Sequence, residues 1–144
     1  YQAAWRAAFG AKLGLSSLDD AGVDLAGDLL TMMAEEKSDF TNTFRILAHD
    51  PDAAECASHQ DFPTWLARWK ELAPDTAYMA QANPEVIPRN HLVEEAIQSA
   101  VYDDWRPFEA FHHVLQAPYA APQDPKFTTP PTPEQEVRQT FCGT

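Results

Sequence analysis

Glycine is scarce in this chain, with five among 144 residues, and none of them falls in a phosphate-binding pattern. Neither G-x-x-x-x-G-K-[ST] nor G-x-G-x-x-G occurs, so the usual backbone cradle for a nucleotide is excluded from this segment. The H-R-D and D-F-G elements of kinases and the G-x-S-x-G elbow of hydrolases are also missing. Positive charge is in short supply as well. Ten Lys and Arg stand against 22 Asp and Glu, giving a formal charge of −12. A protein that tracks phosphates needs a basic stripe, so nucleic acid is excluded as a partner, and an anionic membrane surface is disfavoured for the same reason. No apolar run approaches the ~20 residues needed to span a bilayer. With only Cys56 and Cys142, 86 positions apart, there is no disulfide framework, which suits a reducing cytoplasm.

What is present is helical periodicity. Hydrophobic residues make up 44% of the chain, enough for a folded domain. Trp5, Phe9 and Leu13 recur every fourth residue, and Leu25, Leu29, Met32 and Met33 follow at i, i+4, i+7 and i+8 after Asp19-Asp20. Ser38-Asp39 offers the cap of a helix carrying Phe40, Thr43, Phe44 and Leu47. Asp61 is expected to cap another, with Pro63 in its first turn and Phe62, Trp65, Leu66 and Trp69 as its stripe, and a short helix from about Asp75 to Ala82 presents Tyr78, Met79 and Ala82. Pro84 and Pro88 hold the next stretch extended. Asn90 then stands as the expected cap of a helix starting at His91, with Val93, Ala96, Ile97, Ala100 and Val101 on its apolar side. A last helix with Pro107 in its first turn should turn Phe108, Phe111, His112 and Leu115 inward. From Pro118 to Pro133 there are six prolines in sixteen residues, a density that neither helix nor interior strand tolerates. The reading is an all-α, irregular helical bundle over 1–116, with Trp65, Trp69, Phe44 and Phe108 buried, followed by an extended proline-rich tail over 117–144. A chain opening at Tyr1 directly into a helical pattern also predicts that residues precede it in the natural protein.

Candidate chemistry is sparse. Glu35-Glu36 and Glu94-Glu95 are sequence neighbours about 100° apart on a helix, so they do not face one substrate as an acid/base pair. Cys56-Ala-Ser-His59, with His49 nearby, has a C-x-x-H spacing but lacks the second pair a zinc site needs, and no metal site is expected. Of His112-His113, one is expected on the inner face and one in water. Arg89-Asn90-His91, between a proline turn and a helix start, admits three readings: a structural role, an interface to a missing domain, or catalysis. Arg89 can fork onto a carboxylate or carbonyls, and a protonated His91 could meet an anion at the helix start. Cys142, third from the end in a glycine-adjacent tail, is the one thiol placed for access. Extended at ~3.1 Å per residue, residues 118–142 reach about 75 Å.

Five segments resemble, in order, the C-terminal region of the selenoprotein O (SelO/YdiU) family. They are DFTNTFRIL (39–47), DFPTWLARWKEL (61–72), MAQANPEVIPRNHLVEEAI (79–97), RPFEAFHHVLQAPY (106–119) and PPTPEQEVRQTFCGT (130–144). The resemblance implies a bacterial protein adenylyltransferase with a kinase-like fold. Such an enzyme moves AMP from ATP to Ser, Thr or Tyr hydroxyls of proteins, with Mg or Mn as the divalent metal. It implies that the nucleotide- and metal-binding residues lie in an N-terminal kinase-like domain upstream of this segment, so no catalytic residue is carried over and no cofactor is expected on this chain. It also places Cys142 at the family's redox-active position, where a disulfide to the kinase-like core regulates activity. The expected role here is scaffold and regulatory tail; the other reading is a free-standing helical interaction module with a redox-sensing terminal thiol.

Overall fold

The computed structural model describes residues 2–137; among them there are seven α-helices and no β-strand. The helices are α1 (Gln2–Lys12), α2 (Asp20–Glu35), α3 (Phe40–Leu47), α4 (Phe62–Glu71), α5 (Thr76–Ala82), α6 (Asn90–Val101) and α7 (Arg106–Leu115). Short 3-10 turns occur at Pro51–Ala53, Glu55–Ser58, Pro125–Phe127 and Pro133–Gln135. The chain divides into two compact units, Tyr1–Pro84 and Glu85–Thr144.

The first unit is built from α1 to α5. Three of its helices begin on an aspartate whose carboxylate takes an orphan N–H of the first turn: Asp19 from Gly22 at 2.8 Å, Asp39 from Asn42 at 2.8 Å, and Asp75 from Tyr78 at 3.0 Å. Asp61, expected to cap α4, holds the N-cap position but makes no such bond, because its own backbone is already helical (φ −89°, ψ −8°). The predicted stripes of α2, α3 and α4 converge on one core in which Leu25, Leu29, Phe44, Leu47, Trp65 and Trp69 are buried. Trp65 and Trp69, one helical turn apart, stack at 5.9 Å between ring centroids. Each indole N–H meets a backbone carbonyl, Trp65 at Leu25 O (2.8 Å) and Trp69 at Leu13 O (3.0 Å). Both large rings are thus buried with no donor stranded. Gly14 makes the turn after α1 with φ +73°. A Cβ there would lie 2.7 Å from Asp75 O, so the close approach of the two backbones requires glycine.

The second unit has a smaller core of Val86, Leu92, Phe111 and Phe127, with Val93, Val114 and Leu115 packed against it. α6 and α7 pack on each other. The 3-10 turn at Pro125–Phe127 lays Phe127 parallel to Phe111, 5.9 Å between centroids.

Several expected core positions are wet. Phe108, expected inside, is 47% exposed, and His112 stacks on it in solvent. Ile97 and Val101 of α6 are exposed too, as are Phe40 and Tyr78 in the first unit. On α6 and α7 the expected Val93, Ala96, Phe111 and Leu115 do face the unit's interior, joined by Leu92 and Val114, which the stripes did not include. Both helices carry more apolar surface than the four-residue core of this unit can cover.

Candidate functional site

The proline turn that leads into α6 is held at both ends. The N–H groups of Glu85 and Val86 both donate to Pro118 O, at 2.8 and 3.0 Å, and Val86 is buried. Pro88 fixes the chain just before Arg89, whose backbone is extended (φ −65°, ψ 133°). The Arg89 carbonyl accepts from Val93 N at 3.1 Å, which makes Arg89 the N-cap residue and Asn90 the first residue of the helix. The expectation that Asn90 caps this helix is therefore corrected: no side chain caps α6, and the exposed Asn90 sits one position too late. The cause is the rigid proline segment, which brings the chain into the helix one residue earlier than the polar-residue signal suggests.

Arg89 is 7% exposed and donates from its guanidinium to Thr128 O at 3.2 Å, at the end of the 3-10 turn that carries Phe127. It ties the start of α6 to the segment after α7. His91 lies in the first turn, with Nδ1 buried and no hydrogen-bond partner among the described residues. Burial, reinforced by the Arg89 charge, pushes its pKa below the usual 6.5, against a smaller opposing effect of Glu95. The histidine is therefore neutral at pH 7, which weakens the idea of a protonated anion-binding imidazole. Arg89, Asn90 and His91 border an open groove of about 450 Å³, closed on the other side by Pro131, Gln135 and Glu136.

In the first unit, periodicity did not reveal Asn83. It is 3% exposed, donates to Lys12 O (2.9 Å) and Met79 O (3.0 Å), and accepts from Lys12 Nζ (3.3 Å). The signal that could have found it is an asparagine directly before Pro84 at a helix end, where unsatisfied carbonyls gather. His59 is likewise a structural group. Its Nδ1 accepts from Asp61 N (3.2 Å), which leaves Nε2 to meet Glu35 Oε2 at 2.8 Å.

Cys56 is fully buried, and burial pushes its thiol pKa up, reinforced by the charges of Glu36 and Glu55. A buried thiol with a raised pKa makes a poor nucleophile and a poor metal ligand. Cys142, the redox candidate, lies outside the described residues.

No group of three His, Cys, Asp or Glu side chains able to hold an ion occurs among the described residues. Gly10 and Gly22 serve packing: a Cβ at Gly10 would lie 2.9 Å from Leu15 O and one at Gly22 2.5 Å from Leu18 Cδ2. Among the described residues no helix is long and apolar enough to cross a membrane.

No family model matches the chain. Curated relatives do. It is 42% identical, over its whole length, to the protein nucleotidyltransferase YdiU of Alcanivorax borkumensis, of which it covers 32%. It is 38% identical over 98% of its length to that of a Ruegeria species, covering 31% of it, and 37% identical over its whole length to that of Geobacillus kaustophilus, covering 32%. The chain thus spans about a third of the length of these relatives. Identity at this level along the entire chain, in bacteria as distant as these, places the chain in the YdiU, or selenoprotein O, family.

Proposed function

We propose that this chain is the C-terminal third of a protein nucleotidyltransferase, and that it serves the catalytic region as scaffold and redox-regulatory extension. The observation that carries this reading is the similarity itself: end-to-end identity of 37–42% to proteins named protein nucleotidyltransferase, spanning about a third of each. The interior supports it. The buried polar groups Asn83 and Arg89 are engaged in holding helices and turns together, and Cys56 is buried with its thiol pKa raised.

In the proposed reaction a Ser, Thr or Tyr hydroxyl of a protein substrate attacks the α-phosphorus of ATP. The new bond joins the hydroxyl oxygen to phosphorus, the α–β anhydride bond breaks, pyrophosphate leaves, and the hydroxyl proton passes to a base. The ATP and divalent-metal ligands belong to the kinase-like region that is not part of this chain. Regulation falls to Cys142. Its thiol and a cysteine of the kinase-like region lose two hydrogens to a cellular disulfide, which is reduced to two thiols as the new bond forms. Cys56, sealed in the core, does not compete.

Disulfide mapping by mass spectrometry on the full-length protein under oxidising and reducing conditions, paired with AMP-transfer rates, tests the reading. A reversible Cys142 disulfide and a redox response abolished by Cys142→Ser are expected. A Cys142 that stays free on oxidation, or a variant whose redox response is unchanged, defeats the regulatory role.

A further inference from the structure

The second unit exposes more large apolar side chains than its core buries. Between residues 97 and 108 it presents Ile97 (51% exposed), Val101 (71%), Tyr102 (83%), Trp105 (52%) and Phe108 (47%), whereas its core cluster holds four buried side chains. These five sit at the end of α6, in the four-residue connection from Tyr102 to Trp105, and in the first turn of α7. Trp105 and Phe108 meet edge to face at 6.1 Å, so this part of the surface is ordered by its own ring contacts. Aromatic side chains offer about 150–250 Å² each, so the patch amounts to several hundred square ångströms. Apolar patches of that size with a polar rim mark interaction sites. The rim here is polar: the Trp105 indole donates to Asp103 at 3.3 Å, and Asp104 takes Arg106 in two bonds of 2.8 Å.

We propose that this face is the docking surface for the remaining two thirds of the same polypeptide, which packs an apolar surface against it. The inference rests on the reading of the chain as part of a longer nucleotidyltransferase. Two observations select this occupant. About two thirds of each curated relative has no counterpart in this chain, so a region of ample size is present in the natural protein to cover the face. A second copy is disfavoured by the formal charge of −12 on each chain, which sets like surfaces against each other.

The test uses the full-length protein with p-benzoylphenylalanine in place of Val101. Ultraviolet cross-linking is followed by peptide mapping on an equal mixture of isotopically heavy and light protein. Cross-links to peptides from outside these 144 residues, within one isotopic species, are expected. In hydroxyl-radical footprinting of the unmodified protein, Tyr102 should then oxidise at least about tenfold more slowly than Tyr119, which is 54% exposed in the same unit and lies off the face. Mixed-isotope cross-links, cross-links to residues 138–144, or Tyr102 oxidising as fast as Tyr119 each overturn the proposal. AMP transfer is measured on the same preparation. Absence of transfer with the cross-link intact would sink the functional reading and leave the docking face standing.

Discussion

Asn83 and Lys12, 71 residues apart, hold each other twice: the Asn83 amide donates to the Lys12 carbonyl at 2.9 Å, and the Lys12 ammonium donates to the Asn83 carbonyl oxygen at 3.3 Å. The same ammonium lies over the rings of Phe40 and Phe44, 5.3 and 5.4 Å from their centroids. The end of α1 is thereby fastened to the end of α5 and to the start of α3. Because the amide is buried, Asn83→Ala strands the Lys12 carbonyl and should cost about 1–3 kcal/mol. Urea denaturation of the chain checks this, and a loss below about 0.5 kcal/mol would show that the pair is incidental.

Trp69 and Phe108 should separate sharply. Trp69 is 2% exposed with its N–H satisfied, so Trp69→Ala should cost about 3–5 kcal/mol. Phe108, half in water, should cost well under half of that in this 144-residue chain. Thermal and urea unfolding of both variants gives the ratio, and equal losses would contradict the burial described for α7.

Caps provide a second contrast. Asp39 accepts from Asn42 N, and Asp39→Ala should cost about 1 kcal/mol. Asn90 makes no cap bond, and Asn90→Ala should fall within about 0.5 kcal/mol of the parent. A larger loss at Asn90 than at Asp39 would mean that α6 begins one residue later than observed.

His91 sets a pH dependence. Its pKa is lowered in the folded chain, mainly by burial and then by Arg89, so the unfolded chain binds the proton more readily. Its contribution to stability is complete above about 6.5, the unfolded value, and is lost as pH falls from there through the lowered folded value. His91→Gln should flatten the fall in stability below pH 6.5. An unchanged pH profile in this variant would remove His91 as the cause.

The parts of the fold that could be read in the sequence are those with a local signature. The α2 stripe, the Trp65/Trp69 pair and the Asp39 cap each depend on residues within a turn or two of one another. Periodicity identifies which side chains share a face, not which face a small unit can cover. That is why Ile97, Val101, Phe108 and His112 were expected inside and stand outside. The Asn83–Lys12 pair and the Arg89–Thr128 bond join residues 71 and 39 positions apart, and nothing periodic announces such bonds. Asn90 has the residue type of a cap, but Pro88 sets the register one residue earlier. The family was legible because long, low-degeneracy segments carry it, while Cys142 falls outside the described residues and rests on the sequence alone.

We propose that this chain is part of a nucleotidyltransferase and does not itself perform the transfer. This proposal is tested most directly by incubating the full-length protein and the 144-residue chain, side by side, with a protein substrate and ATP labelled at either the α- or the γ-phosphate. The account predicts protein-bound label from α-labelled ATP only, and from the full-length protein only. Label from γ-labelled ATP, or α-label transferred by the 144-residue chain alone, would contradict it.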